Sequence, residues 1–187
     1  TSVAQDFVEL PSQIMEHWAV EPEVLKLYAK HYETREVIPD ELITKIQNQG
    51  TFNQGFMTTE LLAAALLDME LHNLTDTENL NVVAFEKETM DKLGLIPEIA
   101  PRYRATYFSH IIGGYAAGYY SYLWAEVLDT DAFEAFKEHG VFDKNTADSF
   151  RKNILEKGGT EDPMTLYRGF RGADPSLEPL LKNRGLK

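Results

Sequence analysis

The sequence contains no cysteine, so disulfide frameworks and thiolate chemistry are both excluded. It also lacks a long hydrophobic run, since the longest, residues 61–67, is far shorter than the roughly 20 apolar residues of a membrane-spanning helix. Basic residues are scarce: 18 Lys and Arg stand against 30 Asp and Glu, for a formal net charge of -12. Because an acidic surface without a basic cluster repels nucleic acid and anionic membranes, neither is an expected partner.

Helical periodicity dominates what is present. Apolar residues recur at helix spacing in nearly every segment, and glycine or proline separates the segments. The only strand-like stretch, residues 103–108, is short. With 187 residues, no fixed-period repeat and no long linker, the chain is predicted to be all-α and to form a single helical domain over residues 1–187.

Several helix boundaries follow from local signals. Thr58 is expected to cap a long helix that carries the Leu-Ala run. Residues 75–93 are expected to form an amphipathic helix, capped by Asp76 or Thr77 and stopped by Gly94. Residues 96–104 contain two prolines and are predicted to be a loop leading to the next functional segment.

The most informative stretch is residues 108–124, which combines His110, the pair Gly113 and Gly114, and several tyrosines. On a helix Tyr115, Tyr119 and Tyr122 would share one face, beside a turn made by the glycines. A phenol hydroxyl is a neutral donor suited to an oxygen that becomes negative during a reaction. The alternative, which periodicity alone favours, is an aromatic core stripe. Against it stand the many hydroxyls that need partners and the adjoining histidine.

A second segment, F-V-E-L-P-S-Q-I-M-E-H-W at residues 7–18, adds to this pattern. Together with F-S-H-I-I-G-G-Y-A-A-G-Y-Y-S-Y-L-W at residues 108–124, it resembles the C-terminal part of the thimet oligopeptidase and peptidyl-dipeptidase family of zinc metallopeptidases. Residues 166–172 and 183–186 fit as well, so the resemblance covers essentially the whole chain. It implies a multi-helix part of a zincin-like, mostly helical catalytic domain that uses one zinc ion and acts on short peptides.

The resemblance also assigns roles to individual residues. Glu9 corresponds to the third zinc ligand, for which the alternative is an exposed glutamate favoured by the helix dipole. The substrate-binding and transition-state-stabilising set corresponds to His110, Tyr115, Tyr119 and Tyr122. Gly113 and Gly114 are expected to act as a hinge that lets the loop close on bound peptide.

The chain departs from the family pattern because H-E-x-x-H occurs nowhere in it. That motif supplies two histidine ligands and the general-base glutamate, and the resemblance places it upstream of Thr1. We therefore interpret the chain as a C-terminal fragment of a larger catalytic domain, inactive alone and not expected to bind zinc tightly. The pairs Asp68 with His72 and Glu9 with His17 do not reach the three convergent ligands of a catalytic zinc. The missing part is an expected partner, and apolar surface facing it makes self-association of the fragment an expectation.

The mode of cleavage is less constrained. Residues 102–110 look more like the peptidyl-dipeptidases, which release C-terminal dipeptides, than like the endo-acting oligopeptidases, which remain the alternative. Arg104 or Arg102 is a candidate to bind the substrate's terminal carboxylate, although a surface arginine positioning its loop explains the pattern equally well. A helical binding module without catalysis is the competing class of function. The expected location is the cytoplasm, with the periplasm as the open alternative.

Overall fold

The computed structural model describes residues 2–187 and confirms the all-α prediction. Between these residues the only β-type pairing is one antiparallel bridge, Lys30 with Val37. None of the described helices is both long enough and apolar enough to cross a membrane. The α-helices are α1 (Leu10–Val20), α2 (Pro22–Tyr28), α3 (Asp40–Thr51), α4 (Gln54–His72), α5 (Val82–Lys92), α6 (Ser121–His139), α7 (Lys144–Phe150), α8 (Pro163–Arg171) and α9 (Glu178–Asn183).

The chain folds into two compact units. The first combines the chain up to Phe52 with Leu123–Lys187, and the second is Asn53–Tyr122. The expectation of a single domain over the whole chain therefore stays a prediction, to be tested by whether the two units unfold together.

The first unit is built around an apolar core to which α1, α6, α7 and α8 contribute. Trp18 packs edge-on against Phe133 and Phe136, and its indole nitrogen donates a hydrogen bond of 2.8 Å to the carbonyl oxygen of Val141. Each fully buried large apolar side chain stabilises such a core by about 1.5–3 kcal/mol. The buried members are Phe7, Leu10, Ile14, Leu128, Ala132, Phe133, Phe136, Val141, Phe150, Ile154, Leu166 and Tyr167.

The second unit has a smaller core in which aromatic rings lie on a helix lined by alanines. Ala64 and Ala65 of α4 pack with Phe108 and Tyr119. Because the alanine side chains are short, the rings approach the α4 backbone closely, and the loop that carries Tyr119 is held against the helix.

Two predicted helix starts are wrong. Helix α4 begins at Gln54, after Asn53 in the left-handed conformation, so Thr58 is inside the helix and does not cap it. Helix α5 begins at Val82, where the Asn81 side chain accepts a hydrogen bond of 3.1 Å from the Ala84 amide. Asp76 and Thr77 therefore do not cap α5. Both segments contain several short polar side chains, and local propensity does not rank these competing caps.

Gly94 follows the end of α5 with a positive φ of 65°, so it stops this helix as predicted. The predicted loop over residues 96–104 is non-helical, and the strand-like residues 103–108 form turns and irregular backbone.

The tyrosine segment differs from the helix considered for it. Residues 113–120 form turns, and α6 begins only at Ser121. Tyr115 and Tyr119 thus do not share a helix face with Tyr122. Within this segment Ala117 has a φ of 53°, which a right-handed helix does not contain.

Candidate active site

The structure brings the predicted histidine and tyrosines together in the second unit. His110 lies in a short 3-10 turn, Ser109–Ile112, and its ring centroid is 5.7 Å from Tyr115, 5.0 Å from Tyr119 and 5.9 Å from Tyr122. All three tyrosine rings stand nearly perpendicular to the imidazole, at 77° to 89°. Tyr115 and Tyr122 stack on each other at 5.2 Å and 4°. The grouping expected from a helix is therefore achieved by a turn.

The three phenols lie in different environments. Tyr119 is only 3% exposed, and its hydroxyl is hydrogen-bonded to that of Tyr103. Burial raises the pKa of Tyr119 to about 12, against a smaller lowering by the positive charge of Arg102. Tyr115 and Tyr122 are partly exposed. The cluster thus contains one core phenol that stays neutral and two phenols nearer to solvent.

The imidazole of His110 carries an unusual polar atom. Its Nδ1 is buried and has no hydrogen-bond partner among residues 2–187. A buried polar atom without a partner costs about 1–3 kcal/mol, so such an atom is a sign of a missing ligand or of strain.

Sequence reasoning missed two residues of this site, Tyr103 and Asp68. The ring of Tyr103 stacks on Phe108 at 5.0 Å and lies 5.2 Å from His110. Asp68 is fully buried, and its carboxylate accepts hydrogen bonds of 2.9 Å from the amides of Ala117 and Tyr119. The available signal was that Asp68 interrupts the apolar face of α4, where an unpaired charge would be costly.

The predicted substrate-binding residues lie beside this cluster in sequence. Arg104 is ion-paired through Nε to Glu86, whose carboxylate is buried and also accepts a hydrogen bond of 2.7 Å from the Ala105 amide. Arg102 is exposed and takes part in none of the ion pairs seen in residues 2–187.

The glycine pair is exposed in the turn that follows the 3-10 segment. Neither Gly113 nor Gly114 has a positive φ. A Cβ built on Gly113 would come no closer than 3.9 Å to another atom, and one on Gly114 would meet nothing within 4 Å. The hinge prediction therefore rests on the backbone freedom of glycine and not on a steric requirement.

Glu9 belongs to the first unit. It directly precedes α1 and is partly buried, and its Oε2 accepts a hydrogen bond of 2.6 Å from the Ser12 hydroxyl. A carboxylate oriented by a hydroxyl donor is a suitable zinc ligand. Within residues 2–187, however, no group of three or more metal-binding side chains converges. The described residues therefore fit one ligand of a zinc site and not the whole site.

The imidazole of His17 is paired with the carboxylate of Asp129. Its Nε2 lies 2.6 Å from Oδ1 of the buried Asp129, and Gln13 donates to the other carboxylate oxygen at 3.0 Å. Burial raises the pKa of Asp129, while the hydrogen bonds from His17 and Gln13 oppose that rise. The pair stabilises the first unit and leaves Glu9 as the sole predicted ligand.

The chain is similar in sequence to a family of peptidases and to several curated members of it. The sequence profile of Peptidase family M3 matches residues 1–186. The chain is 46% identical over 193 residues to dipeptidyl carboxypeptidase of Escherichia coli strain K12, an alignment that covers 100% of this chain and 28% of that protein. It is 41% identical over 189 residues to oligopeptidase A of the same strain, covering 100% of this chain and 28% of that protein.

Saccharolysin of Saccharomyces cerevisiae is more distant, at 33% identity over 190 residues, which cover 100% of this chain and 26% of that protein. The chain thus spans about a quarter of the length of these curated relatives. Since the family profile extends over nearly every residue, this chain belongs to Peptidase family M3.

Proposed function

We propose that this chain is the C-terminal part of the catalytic domain of a zinc-dependent peptidase that hydrolyses short peptides. The observation that carries the proposal is the His110 ring, which has a buried, unpartnered Nδ1 and is surrounded by three tyrosines. Such a cluster offers hydrogen-bonding groups to a bound peptide. The names of the relatives, dipeptidyl carboxypeptidase and oligopeptidase A, support the same class of reaction.

In this proposal Glu9 is one zinc ligand, and two histidines and the general base come from another part of the parent protein. Bound zinc would lower the pKa of a coordinated water to about 7 and polarise the scissile carbonyl. The hydrogen bond from Ser12 would hold the Glu9 carboxylate in one orientation for this role.

The tyrosines divide into two roles. Tyr119 is buried and bonded to Tyr103, so we assign it to positioning. Tyr115 and Tyr122 are partly exposed, so one or both would donate to the substrate oxygen as negative charge develops on it. His110 would add a hydrogen bond to the substrate backbone. Because these donors are held in place before the reaction, they need little reorganisation when the charge forms.

Phenylalanine substitutions in the parent enzyme test this assignment. We expect Tyr122→Phe and Tyr115→Phe to leave the zinc content unchanged and to lower kcat, by about 10² to 10³ for a phenol that donates directly. Tyr107→Phe is the matched control, because Tyr107 is 61% exposed and lies outside the cluster. Normal turnover in both cluster variants would contradict the assignment.

We further propose that the parent enzyme releases C-terminal dipeptides. The relative named dipeptidyl carboxypeptidase supports this mode. Arg104 and Arg102 both remain candidates to bind the terminal carboxylate, but Arg104 is already paired with Glu86, which favours Arg102. Amidation of a substrate's C-terminus should then abolish cleavage, and Arg102→Gln should raise KM for the free acid more than Arg104→Gln does. Unchanged cleavage of the amide would support the endo-acting alternative.

The chain by itself is proposed to be inactive and to bind zinc weakly. Calorimetric titration of zinc at neutral pH, with Glu9→Gln measured beside the unmodified chain, tests this point. We expect weak binding that is indifferent to the substitution, since one carboxylate is no zinc site. Tight stoichiometric binding that is lost in the variant would contradict it. A parent sequence without H-E-x-x-H would instead favour the non-catalytic binding module.

A further inference from the structure

Asp68 is the most deeply buried charged side chain of the second unit. It is 0% exposed, on α4, and each of its carboxylate oxygens faces a backbone amide of the tyrosine loop, residues 113–120. Oδ1 accepts from Ala117 and Oδ2 from Tyr119, both at 2.9 Å. His72 Nδ1 lies 2.9 Å from the same Oδ1 and 2.8 Å from the Asp68 carbonyl oxygen.

These contacts offset the cost of burying the Asp68 carboxylate in the core. Both atoms facing His72 Nδ1 are acceptors, so the imidazole carries a hydrogen on Nδ1 and donates it. Three donors therefore converge on Asp68, and hydrogen bonds to a charged acceptor are stronger than neutral ones. An amide in place of the carboxylate would turn its NH₂ group toward one of the loop amides. That hydrogen bond would be lost, because two donors cannot bond each other.

The loop needs such an external acceptor. Ala117 is in the left-handed region, with a φ of 53°, which costs a residue with a Cβ about 1–2 kcal/mol. In the loop, internal hydrogen bonds run from Ala116 to Gly113 and from Gly118 to Tyr115. The amides of Ala117 and Tyr119 point instead to Asp68. The carboxylate thus accepts from two amides of a strained turn whose internal hydrogen bonds come from other amides.

We propose that Asp68 is a positioning residue for the active-site tyrosines. By binding the Ala117 and Tyr119 amides, Asp68 fixes the position and orientation of the backbone between Tyr115 and Tyr119 relative to α4. That backbone determines how both rings approach His110. The effect on catalysis rests on the proposed function, whereas the clamp on the loop does not.

The clamp is tested on the 187-residue chain by amide hydrogen exchange. In the unmodified chain the Ala117 and Tyr119 amides should be protected although neither lies in a helix, and in Asp68→Asn both should exchange at least tenfold faster. Glu86→Gln is the matched control, a second buried carboxylate whose loss should speed exchange at Ala105 and leave the other two amides unchanged. Unprotected Ala117 and Tyr119 amides in the unmodified chain would overturn the proposal, whether or not the variant folds.

The catalytic consequence is tested in the parent enzyme. Asp68→Asn should lower kcat about 10- to 100-fold, with KM changed less than twofold and zinc content unchanged, because the donors are displaced and not removed. Asp76→Asn, at an exposed turn, serves as the control and should keep normal kinetics.

The outcomes separate the two proposals. Faster exchange with unaltered kcat in Asp68→Asn would overturn the positioning role. Normal turnover in the Tyr115 and Tyr122 variants, with the exchange result as expected, would overturn the proposed function and leave the clamp standing.

Discussion

At the scale of single residues, Tyr119 shows how burial selects among chemically identical side chains. It is 3% exposed, whereas Tyr115 and Tyr122 keep contact with solvent. Removing its hydroxyl from water disfavours the phenolate and raises the pKa of Tyr119 to about 12. Tyr119 therefore stays a neutral donor at every physiological pH.

This shift predicts a pH dependence of stability. The unfolded chain releases the Tyr119 proton near pH 10, but the folded chain holds it until about pH 12. The contribution is therefore fully present below pH 10 and is lost as the pH rises from 10 to 12. Two pKa units correspond to about 2–3 kcal/mol as an upper bound.

Urea denaturation between pH 9 and 12 measures the effect. The unfolding free energy of the unmodified chain should fall more steeply over this range than that of Tyr119→Phe. Tyr107→Phe should follow the unmodified chain, since its ring is exposed. Parallel curves for Tyr119→Phe and the unmodified chain would show that the phenol is not buried in solution.

The pair formed by His17 and Asp129 makes a second residue-scale prediction. His17→Ala would leave the Asp129 carboxylate, which is 2% exposed, with one donor fewer, and would remove a ring stacked on Phe133 at 4.8 Å. We expect a loss of about 3 kcal/mol in unfolding free energy, measured by denaturation at neutral pH. Glu16→Ala, on the exposed side of the same helix, should change it by less than about 0.5 kcal/mol. Equal effects of the two variants would contradict the pairing.

At the scale of elements, α4 supports the candidate site through its small residues and its one buried charge. Ala64 is 0% exposed beneath the rings of Phe108 and Tyr119, and Asp68 follows one turn later. The face of α4 thus determines both where the rings rest and how the loop above them is held.

Enlarging that face should be harmful. Ala64→Leu is expected to lower the unfolding free energy by about 1–3 kcal/mol, because added methylene groups in a packed core displace their neighbours. Thermal denaturation measures the loss. Ala84→Leu makes the same change on an exposed position of α5 and should be nearly neutral. A neutral Ala64→Leu would show that the rings are not packed on α4.

At the scale of the whole molecule, the sequence predicts a single domain, and the chain folds into two compact units. If the chain is one cooperative domain, both units unfold at one denaturant concentration. Tryptophan fluorescence reports on the first unit, which contains Trp18 and Trp124. The fluorine NMR resonances of fluorotyrosine at Tyr103, Tyr115 and Tyr119 report on the second unit. Coincident midpoints are expected, and separate midpoints would contradict the single domain.

Local sequence signals gave some correct predictions and some wrong ones. The helical class and the stop at Gly94 depend on short-range periodicity and backbone preference, and both are confirmed. The starts at Thr58 and at Asp76 or Thr77 were wrong because several nearby side chains compete to cap each helix. The helical face of tyrosines was wrong because the segment forms a turn, and two amides of this turn donate to Asp68, which is far away in sequence.

The sequence by itself determined the all-α class, the grouping of the candidate site residues into motifs and, through the length of the match, the membership of Peptidase family M3. Only the tertiary structure decided which tyrosine is buried, which arginine is ion-paired and what holds the loop. The physical reason is distance along the chain. Asp68 meets amides 49 and 51 residues away, and such contacts form only when the fold brings the segments together, so no local pattern records them.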